Sequence, residues 1–193
     1  MECISSFENV EVLHTGQHHN IIRALHLENN HTVIIKTTNN DIPPSASIDD
    51  LQHEYDILIK CHSRNIIKAL DGFKSKHTFH LILEDKHAVS LSLYLEKNKA
   101  GMTQILDWAI ALVGALEELH RAGWIHKFIS IDNLIICEDN SIQLIDLSKA
   151  QKISSTAEAP AADVLAHANL LYISPEQSGR MNRPIDYRSD FYS

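Results

Sequence analysis

Cysteine is scarce in this chain of 193 residues, which has three, at positions 3, 61 and 137. Their number is odd, they lie far apart, and no two of them form a C-x-x-C pair. The sequence therefore argues against a disulfide framework and against a cysteine-based zinc site. This usage is typical of a reducing compartment, and we expect a cytoplasmic protein.

Long apolar runs are also missing from the sequence. No stretch approaches the length of a membrane span, and the N-terminal residues MECI show no basic region followed by an apolar core. We therefore predict no signal peptide and no membrane contact.

Basic residues are outnumbered, with 17 Lys and Arg against 25 Asp and Glu and a formal net charge of -8. A nucleic-acid-binding protein would show a basic patch or stripe, so we predict no nucleic-acid partner. A nucleotide is not excluded, because a small phosphate site needs only a few donors and one lysine. An apolar fraction of 44% is enough for a core in one domain or in two small lobes.

Histidine is abundant in this chain, with 13 copies. The densest cluster is His14, His18 and His19, which would sit in or beside a turn. No Cys, Asp or Glu accompanies these residues at a ligand spacing, so we favour a turn over a metal site.

The first half of the chain is predicted to be a small sheet with one helix. Runs rich in β-branched residues predict strands at Val10–Leu13, Ile21–Leu25 and Thr32–Lys36, with turns around Gly16 and at Glu28–His31.

A loop is predicted over 39–47, because it contains a proline pair. Apolar residues at helical spacing then predict a helix from about Ser47 to Lys60. Strand character returns at Ile66–Ile67 and at Thr78–Leu83.

The second half is predicted to be mainly helical. A helix covers Ile105–Leu119 on a continuous apolar face, and Gly123 is well placed to end it. Leu134–Ile136 and Ile142–Ile145 flank a polar turn and predict a hairpin. Residues 150–170 have little periodicity, so we expect a mobile loop there.

Two groups of residues carry candidate chemistry. Lys36 ends a predicted buried strand, and Glu54 lies in the predicted helix that follows, where it could hold the lysine in place. Further along, His126, Asn133 and Asp146 lie in the loop and hairpin after the long helix. An amide and a carboxylate oxygen together can hold Mg²⁺ against phosphates. The alternatives are solvated surface charges for the first pair and turn-capping residues for the second.

The order of these elements, with VIIK ending at Lys36, HKFISIDN ending at Asn133 and DLS beginning at Asp146, resembles the bilobal protein-kinase fold. The segment YISPE, ending at Glu176, takes the place of A-P-E. The run from Tyr172 to Ser193 looks closely like the kinase-like N-terminal domain of large hybrid sensor histidine kinases that also carry an AAA-type ATPase region.

This resemblance implies an α+β fold with a β-rich N-lobe over 1–83, a hinge at 84–86 and a partial, mainly helical C-lobe over 87–193. It implies ATP and Mg²⁺ as ligands and a protein partner within a signalling assembly. The implied metal ligands are Asn133 and Asp146. The implied ATP-binding residues are Lys36, Glu54, Gly16, Ile21, Glu84 and Lys86.

Several family positions have changed. Phe128 stands where the family has the catalytic-loop aspartate, and it has no lone pair with which to accept a proton. Ser130 stands where a lysine usually neutralises the transferred phosphate. In the glycine-rich loop only Gly16 remains, between His14 and His19.

We therefore expect a nucleotide-binding Ser/Thr-kinase-like domain with impaired catalysis. Two alternatives remain open. One is an active kinase that positions the substrate hydroxyl by another route, such as Asp132, and the other is an interaction module or remnant that binds no nucleotide. Because the match stops at the start of a central helix of the helical lobe, the chain is expected to be a fragment of a larger signalling protein.

Overall fold

The computed structural model describes residues 6–16, 19–38, 45–75, 77–153, 171–181 and 183–193. The chain divides into two compact units. The first contains residues up to 60 together with 67–87, and the second contains 61–66 together with 88–193. Each unit has its own packed interior.

The first unit is built on a five-stranded antiparallel sheet. Its strands follow the order β1-β2-β3-β5-β4. They are β1 (Phe7–Thr15), β2 (His19–His26), β3 (His31–Thr38), β4 (Ala69–Ser75) and β5 (Thr78–Glu84). The three strands predicted before residue 40 are confirmed, and each is longer than the β-branched run that indicated it.

Alternation of side chains across the sheet separates two faces. On one face, Ala24, Val33, Ile35 and Ile82 form a buried apolar cluster. Lys36 lies on the other face, since it directly follows Ile35 in β3. The helix α1 (Ser45–Leu58) packs against β5 and β4.

Two predictions for the stretch 45–75 need correction, and a third cannot be compared with the structure. Helix α1 begins at Ser45, not Ser47, and ends at Leu58, since residues of a first turn need not be apolar. Residues 39–44 of the predicted loop lie outside the described residues. Ile66–Ile67 is not a strand: Ile66 makes only an isolated bridge to Leu144. The strand in this region is instead β4 (Ala69–Ser75), whose Asp71 and Gly72 interrupt the apolar pattern that would have indicated it.

The described residues of the second unit include the helices α2 (Leu91–Lys97) and α3 (Met102–Arg121). Helix α3 confirms the predicted long helix and buries Trp108, Ala115, Leu116 and Leu119. Gly123 follows its end with a φ of 85°, a left-handed conformation in which glycine avoids the Cβ clash. The short helix α2 was not predicted, because seven residues are too few to show a period.

Short strands complete the second unit. They are β6 (Val89–Ser90), β7 (Trp124–Ile125), β8 (Leu134–Ile136), β9 (Ile142–Leu144) and β10 (Gln151–Lys152). β8 and β9 form the predicted hairpin. β10 pairs with β7, so the loop predicted from residue 150 is wrong at that point. The rest of it, over 154–170, lies outside the described residues.

The fold is therefore mixed α+β, with a β-rich first unit, as expected. Single-turn 3₁₀ helices lie at Ile131–Asn133 and Tyr187–Phe191. Over the part of the chain that the structure describes, every helix is too short or too polar to cross a membrane. The lobe and hinge boundaries at 83 and 86 stay predictions.

Candidate functional site

A buried ion pair joins β3 to α1. Lys36 Nζ lies 2.7 Å from Glu54 Oε2, and the two side chains are 10% and 1% exposed. Glu54 shares the buried face of α1 with Leu51 and Leu58, which brings its carboxylate to the sheet. Removing two charges from water is costly and brings little net stability. The pair therefore favours a functional role over a purely stabilising one.

The turn between β1 and β2 is tight around Gly16. The Gly16 N–H donates to His19 O at 2.9 Å. A Cβ at Gly16 would lie 3.1 Å from that oxygen and 3.2 Å from His14 Nε2. The His19 imidazole lies 3.3 Å from Ser47 O in α1. A side chain at Gly16 would therefore require these neighbours to shift slightly. Imidazoles occupy the positions that the resemblance assigns to other glycines.

Ile21 and the segment after β5 complete the predicted ATP-binding residues of this unit. Ile21 pairs directly with Lys36 in the register between β2 and β3. Glu84 N–H donates to Lys68 O at 3.0 Å, and Lys86 Nζ lies 2.9 Å from Glu84 Oε1. Between them lies Asp85, a buried carboxylate that sequence reasoning had passed over.

In the second unit, His126 holds the loop after α3. It is fully buried. Its Nε2 lies 3.0 Å from Ile145 O, and its Nδ1 accepts the Phe128 N–H at 3.3 Å. Both bonds are satisfied by a neutral imidazole with its proton on Nε2. The histidine therefore ties the loop at Phe128 to the residue before Asp146.

Asn133 and Asp146 are brought together by the same hairpin. Asn133 O accepts the Ile145 N–H at 3.0 Å, which places the two candidate metal ligands on adjacent backbone. Asn133 Nδ2 donates to Phe128 O at 2.9 Å, so the side-chain oxygen is the atom left to ligate a cation. Asp146 Oδ1 accepts the Ser148 hydroxyl at 2.8 Å.

Asp146 has a φ of 62°, in the left-handed region that Asn and Asp tolerate best. Such conformations cluster at functional sites. An amide oxygen and a carboxylate suit a hard cation such as Mg²⁺. Among the described residues, no group of three or more His, Cys, Asp or Glu side chains could hold a metal ion. His18, from the histidine cluster, lies outside these residues.

Lys127 has a φ of 73°, which is unusual for a long side chain. Its peptide groups are held from two directions. Its N–H donates to Asp190 Oδ1 at 2.7 Å, and its carbonyl accepts Gln177 Nε2 at 2.6 Å. Burial lowers the pKa of Lys127, and Lys149 adds to this effect while Asp190 opposes it.

Asp190 and Gln177 were both missed by sequence reasoning. Asp190 is 3% exposed and Gln177 is fully buried. Gln177 Oε1 also accepts the Ser174 N–H at 3.1 Å and the Ser174 hydroxyl at 2.9 Å. No local pattern reveals that these two side chains hold the loop at Lys127, because that loop lies 50 or more positions away in the sequence. The available signal was a polar residue within the SPEQ run.

The segment at Glu176 has a partner within the chain. Ser189 Oγ donates to Glu176 Oε1 at 2.6 Å. Burial would raise the pKa of Glu176, but hydrogen bonds from Ser189, from its own backbone amide and from Ser174 outweigh it and lower the pKa. The 3₁₀ helix over Tyr187–Phe191 thus anchors both the SPEQ segment and, through Asp190, the loop at Lys127.

Phe128 is half-buried in that loop. Its backbone N–H and carbonyl are both engaged, by His126 and Asn133. The loop therefore keeps its backbone arrangement although its side chain offers no base.

Comparison with known proteins identifies the family of this chain. The family model described as the protein kinase domain matches residues 7–193. Serine/threonine-protein kinase pakE of Dictyostelium discoideum is 28% identical over 191 residues, which cover 97% of this chain and 20% of that protein. Serine/threonine-protein kinase pakG of the same organism is 25% identical over 176 residues, covering 89% of this chain and 14% of that protein.

A plant relative gives a similar result. MAP3K epsilon protein kinase 1 of Arabidopsis thaliana is 28% identical over 156 residues, which cover 79% of this chain and 11% of that protein. The chain thus spans one fifth or less of the length of these relatives. Because the family model matches nearly the whole chain, this chain belongs to the protein kinase domain family.

Proposed function

We propose that this chain is a Ser/Thr-kinase-like signalling domain that binds ATP with Mg²⁺ but transfers phosphate poorly. The observation that carries the proposal is the buried Lys36–Glu54 ion pair at 2.7 Å, kept in a chain whose catalytic-base position is Phe128. A buried ion pair adds little net stability. The presence of the Lys36–Glu54 pair is therefore better explained by a bound ligand such as ATP than by stability alone.

The first unit supplies the residues for the nucleotide. Lys36, held by Glu54, would bind the α- and β-phosphates. Gly16 would let the turn between β1 and β2 approach the phosphates. The imidazole of His14 lies beside this glycine and would take up part of the space. Ile21 would contact the base, and the backbone of Glu84 and Lys86 would bind its polar edge.

The second unit supplies the residues for the metal. Asn133 would ligate through Oδ1, since its nitrogen donates to Phe128 O, and Asp146 would ligate through its carboxylate. The metal would neutralise phosphate charge when bound. Each of the two side chains already makes a hydrogen bond within this unit, Asn133 to Phe128 O and Asp146 to the Ser148 hydroxyl.

The proposed impairment has two chemical causes. Phe128 cannot accept the proton of a substrate hydroxyl, and general-base assistance is worth about 10²–10⁴-fold. Ser130 cannot neutralise the phosphate as a lysine would. Slow transfer is therefore expected even where ATP and metal are held correctly.

A second candidate is an active Ser/Thr protein kinase, favoured by the similarity to the serine/threonine-protein kinases pakE and pakG. In that case Asp132 would have to take over from the missing base. It is exposed, on the 3₁₀ helix one residue before Asn133.

The decisive experiment separates binding from transfer. Thermal and chemical unfolding are measured with and without Mg-ATP, together with transfer of labelled phosphate to the chain and to a generic substrate. Ligand at 100 times its Kd should add ~2.7 kcal/mol to the free energy of unfolding. An unchanged stability at millimolar Mg-ATP would refute the proposed binding and favour an interaction module. Transfer abolished by Lys36→Met would establish an active kinase instead.

The cellular setting belongs to the same proposal. The run from Tyr172 to Ser193 supports placement in a larger hybrid sensor histidine kinase with an ATPase region. A cytoplasmic location and protein partners in a signalling assembly would follow from that setting. Pull-down with the neighbouring domains of the full-length protein would test the partner.

A further inference from the structure

Asp85 is an acidic residue withdrawn from solvent at the end of β5. Its side chain is 2% exposed, and Oδ2 accepts the Nε–H of Arg23 at 2.7 Å. A second guanidinium nitrogen lies 3.5 Å from Oδ1. Burial would raise the pKa of Asp85, but hydrogen bonds from Arg23, from the His87 amide and from Thr32 outweigh it and lower the pKa. The carboxylate is therefore held in its charged form.

Arg23 reaches the Asp85 carboxylate from β2, the strand next to the edge strand β1. It lies on β2, opposite Glu11 on β1 and Ile34 on β3. One nitrogen of its fork binds Glu11 Oε2 at 2.8 Å, while its Nε binds Asp85. A single guanidinium thus connects β1, β2 and the segment that follows β5. A lysine could not do this equally well, because it has no planar fork.

The same carboxylate also shapes the backbone after it. Asp85 Oδ1 accepts the His87 N–H at 2.8 Å, and His87 has a φ of 49°. The His87 imidazole lies 3.5 Å from Thr32 Oγ1 on β3. The Asp85 side chain, which Arg23 fixes to the sheet, therefore also holds the backbone at 85–87 in its observed conformation.

We infer that Asp85, fixed by Arg23, is a positioning residue that sets the backbone of Glu84 and Lys86 for an adenine base. This inference rests on the proposed function. An Asp needed only for sheet stability would not have to bind the amide of His87 as well. Asp85 Oδ2 binds Arg23 in the sheet, while Oδ1 accepts the His87 N–H in the segment after β5. These two roles together point to positioning.

The test uses the whole chain and three variants. Asp85→Asn keeps the size and an acceptor for His87 but loses the charge that binds Arg23. Arg23→Lys keeps the charge and loses the fork. Asp71→Asn is the matched control, since Asp71 is exposed and likewise accepts a backbone amide, that of Gly72 at 2.8 Å. Amide exchange at 84–87 is measured without ligand, and affinities are measured for Mg-ATP and for magnesium triphosphate, which lacks the base.

In Asp85→Asn we expect exchange at 84–87 to quicken by roughly tenfold, since bonds to charged groups are worth at least that factor. Mg-ATP should bind about tenfold more weakly while triphosphate binding is unchanged, because only the base contacts the segment. Arg23→Lys should give the same change in smaller measure, and Asp71→Asn should leave both quantities as in the wild type.

Four outcomes would overturn all or part of the inference. Equal weakening of ATP and triphosphate would show a purely structural pair. Unchanged exchange at 84–87 would show that Asp85 does not hold the segment. If the wild type binds magnesium triphosphate as tightly as Mg-ATP, the segment makes no contact with the adenine base, and the adenine role is refuted. Failure of the wild type to bind either ligand would refute the proposed function and the adenine role with it, whereas the exchange result would still decide whether Asp85 positions the segment.

Discussion

The Asp190 carboxylate accepts the backbone N–H of His126 at 2.9 Å, although the two residues are 64 positions apart. It also accepts the N–H of Lys127 at 2.7 Å and lies 2.8 Å from His120 Nε2. One buried carboxylate therefore holds the loop that carries Phe128. The left-handed backbone of Lys127 depends on this support, since a long side chain at positive φ is strained.

Replacing Asp190 should destabilise the protein strongly. Asp190→Ala leaves two backbone amides without their acceptor in a buried site and removes the partner of His120. We expect the free energy of unfolding to fall by about 3–5 kcal/mol. Urea denaturation measures this loss. Asp139→Ala, at an exposed turn of the same unit, is the control and should cost less than about 1 kcal/mol. Equal losses for the two variants would contradict this role for Asp190.

The two halves of the ion pair should respond unequally to substitution. Lys36→Met leaves the Glu54 carboxylate buried without its lysine partner, and breaking a buried pair in this way costs about 3–5 kcal/mol. Glu54→Gln keeps an oxygen for Lys36 and leaves the charge on the more exposed partner, so its cost should be smaller. Chemical denaturation of both variants and of the double variant gives the coupling between them. A Glu54→Gln loss equal to or above that of Lys36→Met would contradict this order.

Restoring the base should raise phosphate transfer. Phe128→Asp places a carboxylate on a backbone that is already held by His126 and Asn133. Transfer of labelled phosphate should increase by about 10²–10⁴-fold over the wild type. Phe128→Asn has a similar size but no base, and it should show no such gain. If the Asp variant binds Mg-ATP and remains as slow as the Asn variant, the missing base is not what limits transfer.

The free energy of unfolding should depend on pH below about pH 4 through the protonation of Asp85. Its pKa is lowered in the folded state, so its contribution is complete above the ordinary carboxyl pKa of about 3.9. That contribution is lost as the pH falls from there through the folded-state pKa, because the unfolded chain binds the proton first. Unfolding measured from pH 7 to pH 2 should show a wild-type advantage over Asp85→Asn that shrinks in acid. An advantage that stays constant or grows in acid would exclude this linkage.

Much of the fold was accessible from local patterns. β-branched runs predicted β1, β2 and β3, helical spacing predicted α1 and α3, and Gly123 marked a helix end. These features depend on residues close in the chain, where steric preferences and side-chain period act directly. β4 was missed because Asp71 and Gly72 interrupt its pattern, and β10 because two residues carry no pattern.

The candidate site divides in the same way. The sequence by itself determined which residue types stand at Lys36, Glu54, Asn133 and Asp146, and that Phe128 cannot act as a base. Only the tertiary structure showed that Glu54 reaches Lys36, that Asp190 and Gln177 hold the loop at Lys127, and that Arg23 binds Asp85 across 62 positions. These contacts join groups distant in sequence. Whether a polar side chain is buried and satisfied depends on what the folded chain brings beside it.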